Sequence, residues 1–207
     1  ENIYVLDSPI LTNSQLKKFK KFFSTKVKVI DCTFDIKLSL KDRIEIIRVE
    51  AETAVREGST SLILSDKNIS NQKASIPSIL TVGAVHSHLV KHGLRGYCSL
   101  NVECSDALDT HSFAVLIGVG ATTVNPYLAI DSIYQRFEKK LFGKSDFESC
   151  VIKFKKSIDA GLLKIMSKMG ISVISSYRGG CNFEAVGLSR AIVSDYFSGM
   201  SSRISGI

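Results

Sequence analysis

The stretch GLLKIMSKMGISVISSYRGGCNFEAVGL, from Gly161 to Leu188, contains the chain's clearest succession of structural elements. It begins as the end of an amphipathic helix, stops at a glycine, continues as a strand over Ile171 to Tyr177 and ends in a glycine-rich loop. A helix that leads into a β-branched strand is typical of the crossover units that build a parallel sheet. The stretch therefore predicts an α/β fold.

Other apolar, β-branched runs extend this prediction along the chain. The remaining candidate strands are Val27 to Phe34, Thr60 to Ser65, Cys98 to Cys104 and Thr122 to Asn125. Because helical patterns follow these runs, we expect a mostly parallel sheet with flanking helices, buried on both faces. The segment from Ser65 to Ser75 is expected to be a loop.

One helix is signalled at both of its ends. It runs from about Leu40 to Glu57, with Ser39 before it and Asp42 three residues after that serine. Gly58 follows this helix, and glycine is the residue type that most often ends one. A stripe of apolar side chains predicts the face that packs against the sheet.

A longer helix is expected from about Asp146 to Met169. Ser145 and Glu148 have the spacing of a capping box at its start. Apolar residues recur at intervals of three and four and define its buried face: Val151, Phe154, Ile158, Leu162, Ile165 and Met169. Burying each large side chain contributes about 1.5–3 kcal/mol.

A third helix is predicted from Ile76 to His92, with Ser75 as its cap, Pro77 in its first turn and Gly93 at its end. At 100° per residue its three histidines separate into two groups. His86 lies on the apolar face, where a core histidine that donates a hydrogen bond is favoured over a ligand or a base. His88 and His92 lie roughly opposite, and because no third ligand has a fitting spacing, we assign no metal site from the sequence.

Composition limits the class of protein. The chain has 207 residues, of which 44% are hydrophobic and 23% charged, so a single domain over residues 1–207 is expected. No apolar run approaches the roughly 20 residues of a membrane span, so we expect no membrane partner. The net charge is +7, but the lysines are dispersed along the chain, which favours solvated helix faces over a nucleic-acid partner.

The cysteines and the chain ends indicate context. Five cysteines, with no close pair, are typical of reduced thiols in a cytoplasmic protein and do not have iron–sulfur spacing. The chain starts at Glu1, and residues 201–207 have the composition of a linker. We therefore expect a fragment of a longer polypeptide.

Polar residues at the ends of the predicted strands are the first site candidates. Loops that leave the carboxyl ends of parallel strands converge, so Asp66, Glu103 and Asn125 are expected to form a polar network together with His86 and His111. An acid, a base and an orienting group could come from Asp66, Glu103 and His111. Helix capping and bonds to loop amides are favoured over catalysis, and no catalytic residue is assigned.

A second candidate is the turn formed by Arg178, Gly179 and Gly180. It follows a predicted strand and precedes a short helical pattern from Asn182 to Val186. Glycine lets the backbone approach an anion, and arginine binds phosphate through two donors. A structural turn is favoured, and an anion or flavin-phosphate site is the alternative.

Several longer motifs, taken in order, resemble one family. They are ENIYVLDSPILTN at residues 1–13, LILSD at 62–66, IPSILTVGAVHSHLVKHGLR at 76–95, NPYLAIDSI at 125–133 and SRISGI at 202–207, beside the stretch quoted first. Together they resemble the central domain of the glutamate synthase large subunit. The resemblance implies a rudimentary TIM-barrel-like α/β domain, and it covers nearly the whole chain.

The resemblance also implies a role. Glutamate synthases convert glutamine, 2-oxoglutarate and a reductant into two glutamates, and their amidotransferase cysteine, FMN and iron–sulfur ligands lie in neighbouring domains. The central domain would then be non-catalytic and without a cofactor, linking the amidotransferase and FMN domains and helping to enclose the path of ammonia. Residues 201–207 would lead toward the flavin domain.

The same resemblance implies partners and a location. A small subunit or ferredoxin would serve the parent enzyme as electron donor. The protein would be cytoplasmic, or plastidial if its source is a plant or an alga. The alternative from a different class is a small barrel-like enzyme that binds a flavin or a phosphate ligand.

Overall fold

A computed structural model describes residues 3–180 and 182–206 of the chain. Its central element is an open sheet of four parallel strands in the order β1, β3, β5, β6. The strands of the chain are β1 (Val27–Asp31), β2 (Thr33–Asp35), β3 (Ser61–Ser65), β4 (Lys73–Ser75), β5 (Ser99–Glu103), β6 (Thr123–Asn125), β7 (Glu184–Val186) and β8 (Ser201–Ile204). The prediction of a mostly parallel α/β sheet is confirmed.

Helices connect and flank these strands. They are α1 (Asn13–Phe23), α2 (Leu40–Arg56), α3 (Ser78–Lys91), α4 (Thr110–Gly118), α5 (Tyr127–Glu138), α6 (Phe147–Lys168), α7 (Ile174–Tyr177) and α8 (Arg190–Tyr196). None of the helices in the described ranges is long and apolar enough to cross a membrane.

The strands align their carboxyl ends because their register is regular. Ser65 pairs with Asp31 on one side and with Glu103 on the other, and Glu103 pairs in turn with Asn125. Each crossover therefore moves one strand along the sheet and returns the chain to the same edge. The end residues of four strands lie in one row.

The prediction of a fifth strand over Ile171 to Tyr177 is wrong. Its second half is the short helix α7, and the backbone N–H of Ile171 donates to Met166 O at the end of α6. The edge of β6 that a fifth strand would use is occupied by the N-terminal segment, in which Leu11 N donates to Val124 O and Val124 N donates to Pro9 O. The apolar run instead packs into the core beside α4 and α6.

Two small sheets were not predicted. Strand β2 pairs antiparallel with β4, so the predicted strand Val27 to Phe34 divides in two and the expected loop Ser65 to Ser75 ends in a strand. Strand β7 pairs with β8. The helical pattern predicted from Asn182 to Val186 is therefore wrong, and most of the predicted linker is a paired strand.

The helix ends show which of the predicted N-caps form in the structure. In α2, Ser39 Oγ accepts from Asp42 N as predicted. In α6 the cap is Asp146, which accepts from Ser149 N, in place of the predicted Ser145. Aspartate is the stronger acceptor here because it carries a full negative charge at the positive end of the helix.

The predicted Ser75 cap of α3 is also wrong, because Ser75 ends β4. The N–H of Ser78 donates to Asp106 Oδ2 of a distant loop at 2.9 Å. On α6, Met166 is buried while Met169 is 43% exposed, so the apolar stripe ends one turn earlier than predicted.

Both faces of the sheet are covered, except at β1, where Val29 is 46% exposed. One face, with Leu62, Leu64 and Val102 among its residues, joins the main core with α2, α3, α4 and α6. The other face, which we call the inner face, contacts a smaller cluster in which Ile63 packs against Leu16 and other residues near α1. Helix α1 therefore covers the face that the other helices leave open.

The contact between α3 and α8 has no spare volume at Gly83. A Cβ added there would lie 2.5 Å from Phe197 Cε1 and 2.7 Å from the carbonyl oxygen of Tyr196. We expect Gly83→Ala to lower the free energy of unfolding, because overpacking costs about 1–3 kcal/mol and the gain from replacing a helical glycine is about 1 kcal/mol. Urea denaturation measures the change.

The matched control is Gly96→Ala, because a Cβ at Gly96 meets no atom within 4 Å. An unchanged midpoint for Gly83→Ala, equal to that of the control, would contradict the close approach of the two helices.

Candidate functional site at the carboxyl ends of the strands

Glu103 is the best-connected of the predicted site residues. Its side chain is 5% exposed, and its Oε2 accepts from Ser65 Oγ at 2.8 Å and from Lys20 Nζ at 3.3 Å. Its Oε1 faces Lys67 Nζ at 3.0 Å. Burial opposes its charge, but the bonds from Lys67 and Ser65 and the charge of Lys20 hold its pKa below the ordinary value.

Asn125 lies in the same row and binds the N-terminal segment. Its Nδ2 donates to Leu11 O at 2.8 Å and to Asn13 Oδ1 at 3.0 Å. Asn13 is the first residue of α1. Together with the Lys20–Glu103 pair, these bonds fix α1 across the inner face of the sheet.

Asp66 belongs to a separate group. Its Oδ2 accepts from Ser105 N at 2.9 Å and from Ser105 Oγ at 2.6 Å, which ties together the loops that follow β3 and β5. Burial, followed by the charge of Asp66, raises the pKa of nearby Tyr127. The group therefore orders two neighbouring loops at the sheet edge.

A layer of polar side chains in the middle of the sheet was not predicted. Asn101 Nδ2 donates to Ser61 Oγ at 2.9 Å, and Asn101 Oδ1 accepts from Thr123 Oγ1 at 2.7 Å. All three residues are at most 2% exposed. The available signal was an asparagine inside an apolar strand, which needs partners when it is buried.

His86 lies away from the strand ends. Its Nδ1 accepts from Arg95 Nε at 3.1 Å, and Arg95 also donates to the carbonyl oxygens of Cys98 and Gly120, which precede β5 and β6. The ring therefore lies near the amino ends of the strands, whereas Glu103 lies at their carboxyl ends. The expectation that His86 donates to a carbonyl or carboxylate is not met at Nδ1, which accepts.

Glycines surround the His86 ring. A Cβ on Gly120 would overlap His86 Nδ1, and one on Gly179 would lie 3.2 Å from Cε1 and Nε2. Burial, followed by the positive charges of Arg95 and Arg178, lowers the pKa of His86 to about 4. The imidazole is therefore neutral near pH 7, the state in which Nδ1 can accept.

The turn at Arg178 does not present its amides to an anion. The N–H groups of Arg178, Gly179 and Gly180 donate to the carbonyl oxygens of Ile174, Gly118 and Tyr177, at 2.9, 2.9 and 3.2 Å. The turn also follows a short helix and leads to a strand, the reverse of the predicted context. Its geometry supports the structural reading of these glycines.

His111 is exposed and lies in the first turn of α4, beside a groove of about 210 Å³ that is also lined by Ile79, Asp106 and Ser112. Within the described residues, no hydrogen bond joins the side chains of Asp66, Glu103 and His111. An acid–base pair acting with an orienting residue requires such contacts. The structure therefore places these three side chains apart from one another in the hydrogen-bond network of the described residues.

The buried thiols of Cys32, Cys98 and Cys104 are hard to ionise. Cys32, Cys98, Cys104 and Cys150 are reduced and buried, and Cys181 lies outside the described residues. Burial raises the pKa of Cys32 to about 12 and raises that of Cys104 as well. A thiol is a poor nucleophile when its pKa is raised.

Comparison with known proteins shows which family this chain is similar to. A family model described as "Glutamate synthase central domain" matches residues 1–189. The chain is 53% identical over 205 residues to a protein named "Glutamate synthase [NADPH] large chain" from Azospirillum brasilense, covering 98% of this chain and 14% of that protein. A protein of the same name from Bacillus subtilis is 42% identical over 208 residues, with 98% and 13% covered.

The chain thus spans about one seventh of the length of these relatives. Among solved structures, that of DHODH in complex with ferulenol from Eimeria tenella aligns with a TM-score of 0.49 and 14% identity, covering 75% of this chain and 38% of that one.

The depressed pKa of His86 predicts a pH dependence of stability. The folded value of about 4 lies below the ordinary 6.5, so the unfolded chain binds this proton more readily and stability falls as pH drops from about 6.5 toward 4. His86→Asn keeps an acceptor for Arg95 but does not titrate. Between pH 7 and pH 5 we expect the native chain to lose about 1 kcal/mol more than His86→Asn, after allowance for screening.

Urea denaturation at the two pH values measures this difference. His111→Asn, at an exposed histidine, is the control and should follow the native chain. Equal losses for the native chain and His86→Asn would show that His86 is not held neutral by its surroundings.

Proposed function

Because the chain belongs to the glutamate synthase central domain family, we propose that it is the central domain of a glutamate synthase and supports that enzyme without catalysing a step itself. The observation that carries the proposal is the match along 205 residues at 53% identity. The parent enzyme would convert glutamine, 2-oxoglutarate and reducing equivalents into two glutamates. Its amidotransferase cysteine, its FMN and its iron–sulfur cluster would lie in neighbouring domains.

The supporting role has a physical purpose. Ammonia released by an amidotransferase must reach a distant centre before water protonates it or it escapes, so an enclosed path protects the nucleophile. A domain held rigid by internal hydrogen bonds can keep two catalytic domains at a fixed distance. We propose that this chain packs between the amidotransferase and FMN domains and forms part of that path.

The site geometry supports a bracing role. Glu103 and Asn125 bind α1 to the sheet, and Asp66 binds one loop to the next. These polar groups bond mainly to the protein's own backbone and side chains, although Asp66 Oδ1 and Asn125 Oδ1 have no partner among the described residues. A flavin- or phosphate-binding enzyme is less well supported, because the amides of the Arg178 turn are already donated to carbonyl oxygens.

The proposal extends to partners and location. The electron donor of the parent enzyme would be a small subunit or ferredoxin, bound outside this domain. Four buried, reduced cysteines support a reducing compartment such as the cytoplasm.

The direct test is activity of the purified 207-residue chain. We expect no glutaminase turnover and no reductive amination of 2-oxoglutarate, measured by glutamate release. The positive control is the full-length polypeptide that carries this segment, assayed under the same conditions. Turnover by the isolated chain in either assay would refute the non-catalytic role.

A second test separates bracing from acid–base chemistry. In the full-length polypeptide we expect Asp66→Asn and Glu103→Gln to keep kcat within about twofold, whereas loss of a general acid or base costs about 10²–10⁴-fold. Both variants should lower the thermal midpoint, because each removes charge from a buried hydrogen-bonded group.

The control is Asp131→Asn, at an exposed position of α5, which should change neither kcat nor the midpoint. A hundredfold fall in kcat for Asp66→Asn or Glu103→Gln, at an unchanged thermal midpoint, would contradict the bracing role.

A further inference from the structure

Three potential metal ligands converge on the outer surface where α2 and α3 pack together. Glu52 of α2, His88 of α3 and His92, the residue that follows α3, each offer one ligand atom, and these atoms all lie within 4.8 Å of one another. His88 Nε2 lies 2.7 Å from Glu52 Oε2, and His92 Nε2 lies 3.9 Å from the same oxygen. The third ligand that the sequence did not supply thus comes from the neighbouring helix.

The tautomer of His92 is set by the backbone. Its Nδ1 lies 2.8 Å from the carbonyl oxygen of His88. Because a carbonyl oxygen can only accept, Nδ1 carries the hydrogen, and in the neutral ring Nε2 presents its lone pair. A ligating histidine commonly donates its other ring N–H to a carbonyl or carboxylate in this way.

Glu52 is also oriented by a second partner. Arg56 donates from Nε and Nη2 to Glu52 Oε1, each at 2.8 Å. The other oxygen, Oε2, faces the two imidazoles. A glutamate side chain is a carboxylate at neutral pH, so this oxygen carries the negative charge that attracts a metal cation.

We propose that Glu52, His88 and His92 form a Zn²⁺ site that joins α2 to α3. Two imidazole nitrogens and one carboxylate oxygen are a ligand set that zinc uses, with water in the fourth position. Zinc bonds of about 2.0–2.1 Å place tetrahedral ligand atoms about 3.3 Å apart. The two separations from Glu52 Oε2, 2.7 and 3.9 Å, lie on either side of that value, and all three ligand atoms lie within 4.8 Å of one another, so side-chain rotations can bring them into place.

The chemistry of the donors selects among metals. Imidazole nitrogen suits zinc and other late transition metals, whereas magnesium and calcium favour sites made entirely of oxygen ligands. His92 is partly exposed at 35% of its side chain, which gives a metal and a water ligand access from solvent. The site is therefore one that exchanges zinc with the medium.

Coordination by Glu52 is what distinguishes this site from chance binding. His88 lies in the last turn of α3 and His92 follows that helix directly, so a metal on this pair alone would join α3 to no other element. A metal that also binds Glu52 joins two helices and stabilises the folded chain in proportion to its occupancy. Binding affinity and thermal stabilisation by zinc must therefore both depend on Glu52.

The test is calorimetric titration of the full 207-residue chain with ZnCl₂ in a non-chelating buffer, paired with thermal denaturation at zero and saturating zinc. We expect one zinc per chain and a rise in the thermal midpoint with zinc. His88→Ala, His92→Ala and Glu52→Gln should each weaken binding by about tenfold or more and abolish the rise. Circular dichroism confirms that each variant is folded before titration.

The matched controls are His111→Ala and Glu57→Gln, which remove the same residue types at exposed positions and should bind zinc like the native chain. Three results would overturn the proposal: no zinc binding by the native chain, native affinity in Glu52→Gln, or an equal thermal shift in that variant. The last two would assign the zinc to the histidine pair as adventitious binding. Replacing ZnCl₂ by MgCl₂ should give no heat of binding at the same concentrations.

Discussion

The polar inner face of the parallel sheet governs how this domain closes. Asn101, Glu103 and Asn125 point into a buried space, where an unpaired polar group costs about 1–3 kcal/mol. The sheet itself supplies the partners of Asn101, and the N-terminal segment, which lies across that face, supplies others. Asn125 Oδ1 has no partner among the described residues. Leu11 and Asn13 accept from Asn125, and Lys20 pairs with Glu103, so the segment that begins the domain also closes it.

That closure explains which parts of the fold could be predicted. Runs such as Ser61–Ser65 are strands because their composition and flanking helices agree, and α2 carries its own start and stop signals. Ile171 to Tyr177 has the same apolar character, but the place it would take beside β6 is held by residues 9–11. This outcome depends on a contact between distant parts of the chain, which local periodicity does not report.

The candidate site, like the fold, could be predicted only in part. Parallel strands bring their carboxyl ends to one edge, so the convergence of Glu103 and Asn125 follows from their positions after apolar runs. His86 was misplaced because an apolar helix face does not show which edge of the sheet it approaches. The position of Glu52 beside the histidines could not be predicted, because Glu52 lies 36 residues from His88 and contacts it only after α2 and α3 pack.

The two faces of the sheet therefore stabilise the domain through different contacts. On the inner face, the polar side chains bond mainly to one another and to the N-terminal segment, which agrees with a domain that supports its neighbours. On the outer face, α2 and α3 meet through apolar contacts below and through Glu52, His88 and His92 at the surface. A metal at that surface would strengthen the helix layer without reaching the polar row at the strand ends, because the main core lies between them.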